Sequence, residues 1–187
     1  MFLILCVYCM QSFANIKAFF WDIDGVFVDT EKLHFEAWNR ALKPFGKELK
    51  LSEYLPLIGR GGKENAETIC AMKGIQCDFE KLRNDRRMFF DNLRRKGIPI
   101  LTHNIELLKT FALQFPLVRH VAVSSATRKD IEENLHTAHI TDIIKEGISY
   151  EDHLGIKRKP APDMYLYALK KLDIRANECI AFEDSMS

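Results

Sequence analysis

The sequence predicts an α/β fold in which a parallel sheet is interrupted, after its first strand, by a helical insertion. The aromatic run at residues 17–23 (KAFFWDI) has the length and continuous apolarity of a strand buried on both faces of such a sheet. The segment that follows is charged and has helical periodicity. From Pro99 onward strand and helix patterns alternate, which is typical of a parallel α/β sheet.

The further elements follow from apolar spacing and from the residues that end helices. Residues 30–46 are predicted as a helix that Pro44 and Gly46 close. Within the insertion, breaks are expected at Pro56, at Gly59 to Gly62 and at Gly74. After it, the predicted elements are a helix near 105–115, a strand at 119–123, a helix near 128–135, a short strand near Ile143-Ile144, a helix at 162–172 and a strand at 178–182. The predicted domains are an α/β core at 1–29 and 102–187, a helical insertion at 30–101 and an apolar N-terminal extension at 1–14.

Length and charge restrict the partners. With 187 residues, the chain has room for one substantial domain with a modest insertion. Its 27 Lys and Arg residues nearly equal its 26 Asp and Glu residues, and the formal net charge is +1. A nearly neutral chain has no general attraction for nucleic acid or an anionic membrane, so any anion must be captured at a local site. We therefore expect no nucleic acid and no membrane as partners. A small-molecule partner and a monomer are further expectations.

The cysteines and the N-terminus favour a cytoplasmic protein. Five scattered cysteines show no paired metal-ligand spacing, which favours reduced, buried thiols. The first ten residues are apolar but too short to span a bilayer. Ser12 and Ala14 have the spacing of a signal-peptide cleavage site, yet a basic n-region is missing. Secretion is the alternative, and an extended N-terminus or an early start codon would also explain the segment.

Two aspartates follow the first strand. Strand alternation places Asp22 and Asp24 on the same side, at the entrance of the loop. Two carboxylates this near to each other repel unless a positive charge, usually a divalent cation, lies between them. Gly25 permits the sharp turn that follows. A simple turn or helix-capping pair is the structural alternative.

Three further segments carry polar residues where a strand or loop ends. The hydroxyl residues after the 119–123 strand, among them Ser125, can bind an anion, although a helix cap is the simpler interpretation. Lys159 stands on a turn stiffened by two prolines, so it is either aimed at a phosphate or an exposed base before a helix. Glu183 and Asp184 follow the last strand and would complete an oxygen-rich cage for Mg²⁺. The four features together are more specific than any one.

These motifs resemble the haloacid dehalogenase (HAD) superfamily, and most closely its β-phosphoglucomutase-like, CbbY-like branch. The resemblance begins near Ile16 and rests on DIDGVFVDTEKLHFEAW and KPAPDMYLYAL. It implies a Rossmann-like parallel core, a helical cap inserted after the first strand, and an Mg²⁺-dependent phosphoryl-transfer enzyme. Dehalogenases lack the second aspartate, because a departing halide needs no general acid. Asp24 therefore indicates phosphate esters.

The resemblance also implies a role for each site residue. Asp22 would attack phosphorus to form an aspartyl-phosphate, and Asp24 would protonate the leaving oxygen and then activate water. The expected phosphate-binding residues are Ser125, Ala126 through its amide, and Lys159. The expected metal site comprises Asp22, Asp24 through its carbonyl, Asp184 and Glu183.

Substrate contacts are expected in the cap, where the match to the family is loose. The candidates are His34, Arg60, Lys63 and Arg83. Arg60 and Lys63 lie in a glycine-rich stretch, not clearly at the position of the mutase's phosphate-contacting arginine, and Arg83 replaces a substrate-contacting lysine. His103-Asn104 replaces the Pro-Gly that usually starts the helix after the cap. These departures favour a phosphatase of a sugar phosphate or related metabolite over a phosphomutase.

The chain ends at Ser187, soon after the last motif, whereas family members continue with a further helix, strand and helix. A truncated C-terminus is therefore expected, and a truncated, inactive protein is a second alternative. A pure binding module is disfavoured, because it would not need both Asp22 and Asp24.

Overall fold

The computed structural model describes residues 15–184. The chain divides into two compact units, one drawn from Met1–Val28 and Ile100–Ser187 and the other consisting of Asp29–Pro99. The second unit begins and ends within two residues of the insertion expected at 30–101. The apolar extension expected at 1–14 and the final residues 185–187 lie outside the described residues.

The first unit is built on a four-stranded parallel sheet of order β3-β2-β1-β4. The strands are β1 (Ala18–Trp21), β2 (Arg119–Ser124), β3 (Glu146–Ser149) and β4 (Cys179–Phe182). Phe20 of β1 pairs with Val121 of β2 and with Ala181 of β4. Because the strands are parallel, their carboxyl ends share one edge, and β1 stands between β2 and β4 at that edge.

Four α-helices form most of the second unit, all of which the structure describes. They are α1 (Glu31–Leu42), α2 (Leu51–Tyr54), α3 (Gly62–Lys73) and α4 (Phe79–Arg94). Their apolar faces enclose a core that includes Trp38, Ile69 and Leu82. The first predicted helix ends earlier than expected, because a 3₁₀ turn at Lys43–Phe45 leads into Gly46, whose φ is 62°.

Three α-helices accompany the sheet in the described part of the first unit: α5 (Thr102–Gln114), α6 (Arg128–Thr137) and α7 (Asp163–Leu172). Phe20 packs with Met164 and Ala168 of α7. Phe19 contacts Phe111 of α5, with ring centroids 5.3 Å apart. Both faces of β1 are thus covered, which explains its uninterrupted apolar sequence. No helix within residues 15–184 is both long and apolar enough to cross a membrane.

The strand predicted near Ile143-Ile144 is wrong, because that segment is a turn and β3 follows it. Both N–H groups of this pair donate to the Ile140 carbonyl, and Ile144 is buried without being part of a strand. β3 lacks a continuous apolar pattern because Gly147 lies within it. A Cβ at this position would lie 2.8 Å from Cγ2 of Ile131 on α6, so the close approach of α6 to the sheet requires glycine.

Candidate active site

The carboxyl end of β1 holds Asp22 in a tight turn. Its N–H donates to the Phe182 carbonyl at 3.0 Å, which extends the pairing of β1 with β4 by one residue. Asp22 is only 8% exposed. Beyond it, the N–H of Gly25 donates to the Val28 carbonyl at 2.7 Å, and Gly25 adopts a left-handed φ of 81°. The carboxylate is therefore fixed at the strand edge where α/β sheets bind ligands.

Lys159 is the basic centre of this site. Its Nζ lies 2.8 Å from Oδ1 of Asp22 and 2.6 Å from Oε1 of Glu183, and the side chain is 12% exposed. Nζ also donates to the Val123 carbonyl at 2.6 Å, and the Tyr165 ring centroid is 5.2 Å away. The structure thus brings the lysine expected to bind phosphate into contact with the expected nucleophile. Solvent screens such an enclosed pair only weakly.

Three carboxylates converge beside this lysine. Asp22, Glu183 and Asp184 each offer an oxygen, and these oxygens lie within 4.8 Å of one another. Asp184 packs directly over Gly25, since a Cβ on that glycine would lie 2.1 Å from Asp184 Oδ2. Carboxylate oxygens are the hard ligands that Mg²⁺ prefers. Three carboxylates also carry more negative charge than the single lysine beside them can neutralise. The residues present are thus suited to hold the expected cation.

Negative charge dominates around the buried aspartate. Burial raises the pKa of Asp22 to about 7; Lys159 opposes this, whereas Glu183 and Asp24 raise the pKa further. The Tyr165 hydroxyl donates to Glu183, and burial raises the pKa of this phenol as well. The tyrosine therefore adds a hydrogen bond but no compensating charge. Sequence analysis did not single it out.

Asp24 stands next to the three-carboxylate group without contributing its side chain to it. The residue is half-buried, and Nδ2 of Asn134 donates to its Oδ1 at 3.4 Å. This geometry is compatible with the expectation that its carbonyl binds metal while its carboxyl moves protons. Asn134 lies buried on α6. Sequence analysis missed it, because one asparagine in a helical pattern carries no functional signal.

The loop after β2 is tied to the lysine turn. The main-chain N–H of Lys159 donates to Ser125 Oγ at 3.1 Å. The Ala126 N–H donates to Oγ of Ser124 at 3.3 Å, and Ser124 is a buried residue that sequence analysis did not single out. The N-cap of α6 is Thr127. The two segments expected to bind phosphate are therefore directly connected, and the capping role that was the simpler interpretation of this hydroxyl segment is filled by its last residue, Thr127.

Arg60, Lys63 and Arg83, expected as substrate contacts, all lie in the helical unit. Arg60 forms an ion pair with Glu64 at 3.6 Å, and Arg83 forms one with Glu80 at 2.9 Å. Lys63 is exposed. Surface pairs of this type are weak, so both arginines can exchange their partners for an anion at little cost.

His34 contacts an arginine that the sequence did not indicate. Its Nδ1 lies 3.2 Å from a terminal nitrogen of Arg86, and its ring stacks on Phe90 with centroids 4.0 Å apart. The Arg86 guanidinium also lies over Trp38, 5.2 Å from the ring centroid. α4 contains several arginines, so nothing in the sequence distinguished Arg86 from the others.

The chain matches a known family of enzymes over most of its length. The model of the haloacid dehalogenase-like hydrolases matches residues 16–187, and the chain belongs to this family of enzymes. A phosphorylated carbohydrates phosphatase of Thermotoga maritima is 24% identical over 180 residues, which cover 92% of this chain and 78% of that protein.

Two solved structures share the fold. CbbY of Rhodobacter sphaeroides, in complex with phosphate, has a TM-score of 0.72 and 23% identity over 91% of this chain and 79% of its own. A β-phosphoglucomutase of Clostridium difficile has a TM-score of 0.72 and 20% identity over 90% and 76%. The resemblance deduced from the motifs is thereby confirmed.

Proposed function

We propose that this protein is an Mg²⁺-dependent phosphatase that hydrolyses a small phosphomonoester through an aspartyl-phosphate on Asp22. The observation that carries the proposal is the buried Asp22 carboxylate, held by Lys159 beside Glu183 and Asp184. A sugar phosphate or related metabolite is the proposed substrate class, which the similarity to a phosphorylated carbohydrates phosphatase supports.

In the proposed reaction, the Asp22 carboxylate attacks phosphorus while Asp24 gives a proton to the departing ester oxygen. Lys159 Nζ, the Ser125 hydroxyl and the Ala126 N–H hold the phosphoryl oxygens. Asp24 then takes a proton from water, which attacks the aspartyl-phosphate and releases inorganic phosphate. Asp22, the Asp24 carbonyl and Asp184, with Glu183 nearby, would hold Mg²⁺, which would supply positive charge near the transferring group.

The proposal also covers the helical insertion, the oligomeric state and the cellular location. Residues 30–101 form the cap that selects the substrate, and His34, Arg60, Lys63 and Arg83 are its candidate contacts. The protein acts as a monomer in the cytoplasm, on small molecules and not on nucleic acid or membranes.

A phosphate-release screen over phosphorylated metabolites tests the proposal. We expect turnover with Mg²⁺, none in excess EDTA, and none for Asp22→Asn, because an amide is neither a nucleophile nor a good metal ligand. Asp24→Asn should lose about 10²–10⁴-fold in rate. Asp142→Asn, at an exposed position, is the matched control and should behave as wild type.

Two outcomes would contradict this function. A folded Asp22→Asn variant with most of its activity would exclude Asp22 as the nucleophile. A folded wild-type protein that is inactive on the whole panel would favour the inactive alternative.

A phosphomutase is the alternative that the fold shared with a β-phosphoglucomutase keeps open. A mutase must exclude water and return the phosphoryl group to a sugar hydroxyl. Here Arg60 and Lys63 lie on a glycine-rich segment whose ordering costs conformational entropy, and lysine is the poorer bidentate phosphate ligand. With β-glucose 1-phosphate and a trace of glucose 1,6-bisphosphate, we expect inorganic phosphate as the main product. Faster accumulation of glucose 6-phosphate would establish the mutase.

A further inference from the structure

Two cysteines of the helical unit are in direct contact. The sulfurs of Cys70 and Cys77 are 3.2 Å apart, and both residues are free thiols. Cys70 is buried in α3, whereas Cys77 is half-buried just before α4. Neither residue belongs to the proposed catalytic site or to the candidate substrate contacts.

Local structure holds the pair in place. Helix α3 ends at Gly74, which has a left-handed φ of 62° and donates to the Cys70 carbonyl. The N–H of Ile75 donates to the same carbonyl at 2.9 Å, so the chain turns back along the helix end. Asp78 then caps α4 with its side chain. A helix C-cap and a helix N-cap therefore fix the segment that joins the two thiols.

We propose that Cys70 and Cys77 form an oxidation site that closes to a reversible disulfide, with hydrogen peroxide as the oxidant. The sulfurs need to approach by roughly 1.2 Å to reach bonding distance, which side-chain rotation can supply. The disulfide would covalently join the end of α3 to the start of α4.

The reaction proceeds in two balanced steps. The Cys77 sulfur attacks peroxide, the O–O bond breaks, and Cys77 becomes a sulfenic acid as one water leaves. The Cys70 sulfur then attacks the Cys77 sulfur, the S–O bond breaks, and the hydroxyl leaves as a second water with the proton of the Cys70 thiol. Two thiols lose two electrons in total, and peroxide accepts them.

Exposure and acidity assign the order of these steps. Cys77 is the more exposed of the two residues, so it meets the oxidant first. Burial, together with the contact with Cys77, raises the pKa of the Cys70 thiol to about 12. Cys70 is therefore a poor first nucleophile. It acts as the resolving thiol, because its direct contact with the Cys77 sulfur speeds the second step even though little of the Cys70 thiol is ionised.

A tryptic digest tests the pair directly, because Lys73 lies between the two cysteines. The full-length protein is treated with peroxide, alkylated under denaturing conditions and digested. We expect peptides Glu64–Lys73 and Gly74–Lys81 to be recovered as one species, about 2 Da lighter than the two free peptides together. Dithiothreitol should separate them again.

Two variants control the experiment. Replacing Cys6, Cys9 and Cys179 with serine should leave the linked species unchanged, whereas Cys77→Ser should abolish it. If Cys77→Ser fails to fold, mapping the disulfides of the oxidised wild-type protein still tests the proposal. Free Cys70 beside a Cys77 sulfinic acid, disulfides only to other cysteines, or two free thiols after all oxidant is consumed would each overturn the proposal.

Discussion

Replacing Lys159 with methionine keeps most of the side-chain volume and removes the ammonium group. In the structure this group contacts Asp22 at 2.8 Å, Glu183 at 2.6 Å and the Val123 carbonyl at 2.6 Å. The variant leaves the Asp22 and Glu183 carboxylates close together without the positive charge between them. It also removes the hydrogen-bond donor of the Val123 carbonyl. Both folding stability and turnover should therefore fall.

The structure sets the size of both effects. Removing one partner of a buried ion pair costs about 3–5 kcal/mol. Because the Glu183 side chain is 23% exposed and can be solvated in part, we expect a smaller loss here, about 2–3 kcal/mol. For a chain of this size, that loss lowers the Tm by roughly 5–10 °C. Loss of one charged group aimed at the transferring phosphoryl should reduce kcat by about 10²–10³-fold.

Lys157→Met is the matched control, since it makes the same charge change at an exposed position two residues away. Its free energy of unfolding should stay within about 0.5 kcal/mol of wild type. Thermal unfolding of all three proteins in EDTA and phosphate-release kinetics in Mg²⁺ measure the two effects. Equal Tm values for the two variants, or a loss of turnover below about fivefold in folded Lys159→Met, would refute the reasoning.

Three further perturbations follow from close contacts. Gly25→Ala would place a Cβ 2.1 Å from Asp184 Oδ2 at a φ of 81°, so the apparent affinity for Mg²⁺ in kinetic titrations should fall at least about tenfold. Gly147→Ala should destabilise the fold by about 1–3 kcal/mol in urea unfolding, because its methyl group overpacks α6. His120 should make stability depend on pH, because burial lowers its pKa and its Nδ1 accepts a hydrogen bond from Trp21.

The direction of the pH effect follows from proton binding. As the pH falls through the ordinary histidine value of about 6.5, unfolded chains take up a proton that the folded state resists. Stability is therefore lost, and the loss is complete below the folded-state pKa. Asp22, whose pKa is raised to about 7, has the opposite effect in both proteins, so the comparison is made at each pH. In urea unfolding, the stability of wild type relative to His120→Asn should be lower at pH 5.5 than at pH 7.5. Equal pH dependence would contradict this account, as would unchanged Mg²⁺ affinity for Gly25→Ala or unchanged stability for Gly147→Ala.

Much of the fold could be predicted from the sequence, because periodicity and strand-end chemistry are local properties. The run AFFW is apolar throughout, since β1 is covered on both faces, and this feature indicated a strand buried on both faces of a parallel sheet. The aspartates after β1 and the final acidic pair were recognisable from the sequence as strand-end residues, and Lys159 was recognisable by its proline-stiffened turn. β3 was misplaced, because Gly147 satisfies the packing of α6 and so leaves no apolar signal.

By itself, the sequence determined the family, the parallel α/β core and the residue types that the proposed chemistry needs. Only the tertiary structure decided which side chains meet. Asn134 lies 110 residues from Asp24 in the chain, and Lys159 lies 137 residues from Asp22, yet each pair is in hydrogen-bond contact. The turn at Gly74 likewise brings Cys77 back against Cys70. Apolar periodicity records which face of an element is buried, whereas the partner on the opposing element is set by three-dimensional packing.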